Sequence, residues 1–109
     1  MDIEAELTYA QAAMQAGNIG QARVCARRAA GMAVREWYRR RKGKGDSAYW
    51  GGDALKQLQR LEADGLALER IRTAARRLTT KVDFDHNLPF DTNPIEDARL
   101  IIEYVRQAG

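Results

Sequence analysis

The sequence predicts an all-α protein, an antiparallel helical bundle of four to five helices, on two observations. Its 109 residues include 18 alanines and only four valines, a composition that favours helices over strands. Its middle carries a stripe of small side chains at the three- and four-residue spacing of one helical face. The stripe comprises Ala22, Ala26, Ala29, Ala30 and Ala33 and ends at Trp37. Because small side chains let another helix approach closely, we expect this segment to be the central helix.

The face opposite this stripe is basic. It carries Arg23, Arg27, Arg28, Arg35 and Arg39. Charged side chains are seldom buried without a partner. We therefore expect these guanidinium groups to face solvent.

The length of the chain suits one domain over residues 1–109. Residues 1–4 are acidic and lack an apolar run, so no signal peptide is expected. No stretch approaches the roughly 20 apolar residues of a membrane span. These features predict a soluble, cytoplasmic protein. The single cysteine, Cys25, permits no internal disulfide and is expected to act as a small buried apolar side chain.

The first two helices are predicted by an apolar seam and by residues that favour helix ends. The first is expected over residues 2–16, with a seam formed by Ile3, Leu7, Ala10 and Met14. Gly17 is expected to end it, and Asn18 to cap a second helix over residues 19–41. Gly31 lies inside the second helix, where it indicates close contact with another helix.

The third and fourth helices are predicted to meet at a short turn. Asp53 is a good cap for a third helix that ends at Asp64-Gly65, and its apolar edge is Leu55, Leu58 and Leu61. A fourth helix is expected over residues 66–80. Its apolar face comprises Ala67, Ile71, Ala74, Ala75, Leu78 and Val82.

The fifth helix has the strongest start signal in the chain. Asn93 is predicted at its N-cap, Pro94 at its first position and Glu96 at its third. Its apolar face is formed by Ala98, Ile101, Ile102 and Val105. The stretches 46–52 and 83–92 have no helical period and are predicted to be loops.

The first candidate site is a cluster of basic side chains. It comprises Arg35, Arg39, Arg40 and Arg41, with Arg76 and Arg77 on the fourth helix. Clustered cations neutralise phosphates or acidic partners, so the cluster is consistent with a nucleic-acid or anion site. Alternatively, it is a solvated face that complements the C-terminal end of the helix dipole.

The second candidate site is centred on His86, the only histidine. A neutral imidazole can act as a general base or acid, and Lys81 could hold a phosphate beside it. The alternative is a loop histidine without catalytic function. With one histidine and no cysteine pair, we expect no metal site. Gly43-Lys44-Gly45 lacks the strand and the Ser/Thr of a P-loop, so no cofactor is expected.

The third candidate site is the loop dipeptide Tyr49-Trp50. Exposed aromatic side chains can anchor a protein partner or stack on bases. Alternatively, they cover the open end of the bundle.

The order of segments carries a family resemblance. An alanine-rich second helix follows a glycine-bearing turn. The next segments are residues 53–58 (DALKQL) and an arginine-bearing fourth helix. The chain then continues with Leu88-Pro89-Phe90 and residues 95–102 (IEDARLII). This arrangement resembles HEPN domains, small all-α bundles of prokaryotes. The resemblance implies a domain that dimerises, and many such domains pair with a small nucleotidyltransferase in toxin–antitoxin modules.

The resemblance also implies a test of catalysis. Active HEPN domains are metal-independent ribonucleases that use an Arg, four to six further residues and a His. Before His86 the permitted positions hold Thr79, Thr80 and Lys81. Lys81 keeps the charge but lacks the planar fork with which an arginine grips a phosphate. This departure predicts a non-catalytic member.

We therefore expect a non-catalytic HEPN-like interaction protein that acts through a protein partner or its own dimer, without membrane or metal. Two alternatives remain open. One is RNA binding, or weak metal-independent RNA cleavage, centred on His86 and Lys81. The other is a tetratricopeptide-like scaffold that grips a peptide, suggested by residues 16–23 (AGNIGQAR).

Overall fold

The described residues form five helices packed as a bundle, which confirms the predicted all-α fold. The structure, a computed structural model, describes residues 2–42, 53–81 and 93–107. Its helices are α1 (Ile3–Gln15), α2 (Ile19–Lys42), α3 (Ala54–Ala63), α4 (Glu69–Thr79) and α5 (Pro94–Gln107). None of the helices in these ranges combines the length and apolar character needed to cross a membrane.

The ends of α1 and the start of α2 are fixed by local hydrogen bonds. The Asp2 carboxylate accepts a hydrogen bond from the backbone N–H of Ala5 at 2.7 Å. Gly17 adopts a φ of +79°, a left-handed conformation that glycine allows and that ends the helix. The Asn18 side chain then accepts from the N–H of Gln21 at 3.1 Å. Because only residues 16–18 join α1 to α2, the two helices pack as antiparallel neighbours.

Helix α2 is the centre of the bundle. It packs against α1, α3 and α5 and also touches α4. All six residues of the predicted stripe are buried: Ala22, Ala26, Ala29, Ala30, Ala33 and Trp37. Their burial confirms that the small-residue face is the packing face. The expectation that every arginine of the opposite face meets solvent is wrong at one position, because Arg23 is only 4% exposed.

Helices α2 and α3 cross at Gly31. A Cβ atom built on Gly31 would lie 2.7 Å from both the Cα and the Cβ of Ala54. Real Cβ atoms do not approach other carbon atoms this closely, so only glycine permits the crossing as it stands. The close helix contact predicted for Gly31 is therefore confirmed.

The turn between α3 and α4 differs from its prediction. Asp53 caps α3 as expected, since its carboxylate accepts from the N–H of Lys56 at 3.1 Å. Helix α4, however, begins at Glu69 rather than at residue 66. The Asp64 side chain accepts a hydrogen bond from the backbone N–H of Leu66 at 3.0 Å. This bond holds the residues that precede α4 in a turn. As a result Leu66 is 83% exposed, although Ala67 is buried.

Helix α5 starts as predicted. The Asn93 side chain accepts from the N–H groups of Ile95 at 2.9 Å and of Glu96 at 3.3 Å. Pro94 occupies the first helical position. The predicted apolar face is buried against α2 and α4: Ala98, Ile101, Ile102 and Val105.

Candidate functional site

Four arginines near the C-terminal end of α2 are exposed. We call them the basic surface: Arg35, Arg39, Arg40 and Arg41. Arg35 and Arg39 lie on the side of α2 away from its buried stripe, whereas Arg40 and Arg41 lie in the last turn before the helix ends. Arg35, Arg40 and Arg41 form no ion pair within the described part of the chain.

One member of the basic surface is already paired. Arg39 donates to both carboxylate oxygens of Glu36, at 3.1 and 2.9 Å. These hydrogen bonds lower the pKa of Glu36 and raise the pKa of Arg39. Both side chains are about half exposed, so the pair adds little to stability. Its effect is to offset one of the four positive charges.

The guanidinium of Arg41 stacks on Trp37. Its central carbon lies 4.4 Å from the centroid of the indole ring, a cation–π contact. Trp37 also packs against Tyr38 and Tyr104, with ring centroids 5.0 and 5.7 Å apart. The stack gives Arg41 a defined position at the edge of the basic surface.

Arg41 also borders a groove between the end of α2 and the α3–α4 turn. The groove has a volume of about 410 Å³ and is lined by Tyr38, Arg41, Arg60, Ala63, Asp64, Gly65 and Leu66. Tyr38 donates a hydrogen bond from its hydroxyl to the Asp64 carboxylate at 2.7 Å. The exposed Leu66 side chain therefore lines the same groove as Arg41, and the wall of that groove includes the Tyr38–Asp64 hydrogen bond.

The two arginines predicted on α4 are arranged differently from each other. Arg77 makes three hydrogen bonds to the Asp97 carboxylate, at 2.7 to 3.1 Å. These bonds raise the pKa of Arg77 and join α4 to α5. Arg76 is exposed and donates to the Thr73 hydroxyl at 3.3 Å. Arg77 is thus engaged by Asp97, whereas Arg76 is accessible to a ligand.

The buried Arg23 closes the C-terminal end of α4. Its guanidinium donates to the backbone carbonyls of Arg77 and Leu78, both at 3.2 Å, and of Thr80 at 2.8 Å. The last carbonyls of a helix have no partner within it, so a buried cation there satisfies them and complements the helix dipole. Burial lowers the pKa of Arg23, and the charge of Arg27 lowers it further, while Asp97 opposes both.

A second basic region lies next to Arg23. A cavity of about 410 Å³ is lined by Gly20, Arg23, Arg27, Thr80 and Lys81, and we call it the cationic cavity. Arg27 is half-buried and Lys81 is exposed. Lys81, proposed from the sequence as a phosphate-holding cation, is therefore brought together with two arginines that sequence reasoning had not linked to it.

A third cavity, of about 210 Å³, has mixed charge. Its walls include Glu6 and Asp53 together with Arg28 and Arg35. Glu6 is only 4% exposed, and its Oε2 atom has no hydrogen-bond partner among the described residues. Two carboxylates balance two guanidinium groups here, in contrast to the cationic cavity.

Several sequence predictions lie outside the described residues. They concern His86 and the dipeptide Tyr49-Trp50. Cys25 is buried in the core, as expected for an apolar cysteine. Within the described segments, no three His, Cys, Asp or Glu side chains are grouped as metal ligands would be.

Arg23 is the residue that sequence reasoning placed wrongly. A signal for it existed, because Arg23 precedes Ala26 by three residues and Ala30 by seven, the spacing of the buried stripe itself. That spacing places Arg23 at the edge of the packing face. What it meets there depends on the end of α4, which the spacing does not reveal.

Comparisons of the chain with models of protein families, with curated proteins and with solved structures found no match.

Proposed function

We propose that the protein is a non-catalytic, HEPN-like interaction module that binds an acidic segment of a partner protein through the basic surface and the adjoining groove. The observation that carries the proposal is the position of the exposed Arg41 and the exposed Leu66 on the same groove. Arg35, Arg40 and Arg41 have no ion pair within the described ranges, and Leu66 is 83% exposed.

The chemistry of this region suits a protein partner. Arginine pairs with carboxylates through a planar fork of donors, and it is enriched at protein interfaces. Burying an exposed leucine adds roughly 1.5–3 kcal/mol of favourable free energy. A segment that alternates acidic and apolar side chains could engage both groups at once. Charge complementarity would speed the encounter and fix its orientation.

RNA fits the described part of this region less well. Proteins that hold single-stranded nucleic acid combine basic grooves with exposed aromatic side chains on which bases stack. Among the described residues near the basic surface, the aromatic rings of Trp37 and Tyr38 are buried. Exposed leucine with arginine is the combination expected for a protein partner.

The HEPN-like, non-catalytic assignment is supported by two features. The fold is an all-α bundle around a small-residue central helix, which is compatible with the resemblance read from the sequence. The positions where an active HEPN ribonuclease would carry its arginine hold Thr79, Thr80 and Lys81. Lysine lacks the bidentate grip that stabilises a phosphate in the transition state.

The test is binding of a short fluorescent peptide of alternating Glu and Leu, compared with a single-stranded RNA of matched charge. In the Arg40→Glu/Arg41→Glu variant we expect peptide affinity to fall at least about tenfold, which corresponds to roughly 1.4 kcal/mol. The matched control is Arg70→Glu/Arg99→Glu, which reverses two exposed arginines on α4 and α5 and should leave affinity within about twofold. Leu66→Ser should also weaken peptide binding.

Three results would contradict the proposal. The first is equal peptide binding by the two double variants. The second is RNA bound more tightly than peptide, which would favour the nucleic-acid alternative. The third is a dimer, seen by light scattering, that Arg40→Glu/Arg41→Glu dissociates, because the basic surface would then face a second copy of the chain.

A further inference from the structure

The cationic cavity gathers three positive side chains from two parts of the chain. Arg23 and Arg27 come from the first half of α2, and Lys81 follows α4. Among the described residues, its walls carry no carboxylate. This separates it from the mixed-charge cavity, where Glu6 and Asp53 balance two arginines.

The charges in this cavity are poorly balanced by the residues that the structure describes. Arg23 is held by neutral backbone carbonyls rather than by a carboxylate. The nearby Asp97 carboxylate is shared with Arg77, to which it is hydrogen-bonded. Arg27 forms no ion pair in the described part of the chain, and its charge acts against that of Arg23. An anion in the cavity would relieve this repulsion.

We propose that the cationic cavity binds a phosphate group, either as inorganic phosphate or as a phosphate monoester. Phosphate brings up to two negative charges and several strong acceptor oxygens, which match one lysine and the free donors of Arg27. Gly20 in the wall has no side chain to limit access, and the first turn of α2 contains no acidic residue. The oxygens can therefore approach the backbone as well as the side chains.

This site is distinct from the basic surface. At 1.5 Å per residue, even the nearest members of the two regions, Arg27 and Arg35, lie roughly 12 Å apart along α2. The inference therefore goes beyond the proposed function and does not depend on it. Substitutions at one region should leave binding at the other unchanged.

The experiment titrates the intact protein with inorganic phosphate and, separately, with ribose 5-phosphate, against sodium chloride of equal ionic strength. Calorimetry and backbone amide NMR shifts report binding. We expect saturable binding with a Kd of roughly millimolar order, shifts centred on Gly20 and Thr80, and no response to chloride. Both probes carry the same phosphate chemistry, and tighter binding of the ester would identify a monoester as the ligand.

Arg27→Gln and Lys81→Gln are the test variants, since neither side chain is needed to close α4. Each substitution should weaken phosphate binding at least about fivefold. Arg28→Gln and Arg70→Gln, which remove exposed charges elsewhere, are the matched controls and should change affinity less than twofold. Equal weakening by all four variants would reveal only a non-specific charge effect, and the absence of saturable binding in the wild type would overturn the inference.

Discussion

At the scale of single residues, Gly31 determines how closely α3 packs against the central helix α2. Gly31 lies in the middle of α2, where glycine lowers helix stability by about 1 kcal/mol relative to alanine. The missing side chain leaves room for the backbone of Ala54, which would lie 2.7 Å from an added Cβ. The local loss in α2 is thus offset by the contact that brings α3 onto the core.

Gly31→Ala should therefore destabilise the protein, although it improves helix propensity. The added methyl meets backbone rather than a flexible side chain, so α3 must move, and we expect a loss of about 2 kcal/mol in the free energy of unfolding. Gly20→Ala is the matched control, because its Cβ would meet only the Asn18 side chain at 3.9 Å. Gly20→Ala should leave stability unchanged or raise it by up to about 1 kcal/mol. Urea denaturation measures both, and equal effects would refute the steric explanation.

At the scale of secondary-structure elements, α4 is a short helix whose C-terminal end depends on a residue of α2. Its N-terminal end has no side-chain cap, since Leu68 precedes it. Its C-terminal end is closed by Arg23, a residue more than 50 positions earlier in the chain. The stability of α4 is therefore coupled to the packing of α2.

Arg23→Lys should loosen the end of α4. A lysine ammonium cannot reproduce the planar fork that reaches three carbonyls, so we expect the free energy of unfolding to fall by about 2 kcal/mol. Arg40→Gln, which neutralises an exposed arginine on the same helix, should stay within about 0.5 kcal/mol. Hydrogen exchange gives a local readout: the amide of Thr80, which donates to the Arg76 carbonyl, should exchange faster in Arg23→Lys. Unchanged protection at Thr80 would show that Arg23 does not hold this end.

At the scale of the whole molecule, sequence patterns predicted the features of the fold that depend on residues close together in the chain. The caps at Asn18, Asp53 and Asn93 were predictable because each bonds an N–H two or three residues away. The burial of the α2 stripe followed from its period. The start of α4 was not predictable in this way, because the apolar pattern continues through Leu66 while the Asp64 side chain holds a turn.

The candidate sites were less predictable than the fold. The basic surface could be read from the sequence because its arginines are adjacent in the chain and lie on an exposed helix end. The cationic cavity could not, since it requires Arg27 of α2 to meet Lys81 beyond α4. Likewise, the sequence placed Arg77 in a candidate anion site, but the fold pairs this side chain with the Asp97 carboxylate. Contacts between distant segments decide which charges remain available to a ligand.

The Arg77–Asp97 pair offers a test of how α4 and α5 are joined into one molecule. Asp97 is buried while Arg77 is about one-third exposed, so solvent weakens the pair without removing it. Asp97→Asn should lower the free energy of unfolding by about 2–3 kcal/mol, because it leaves the guanidinium groups of Arg77 and Arg23 without this carboxylate.

A double-mutant cycle with Arg77→Gln isolates the interaction between the two residues. We expect a coupling energy of about 1–2 kcal/mol from urea denaturation. Arg76→Gln, on the exposed neighbour of Arg77, supplies the control cycle and should couple to Asp97→Asn by less than about 0.5 kcal/mol. If the two cycles gave the same coupling, Asp97 would be acting through the general positive field of α4, and the connection between the helices would rest on apolar packing alone.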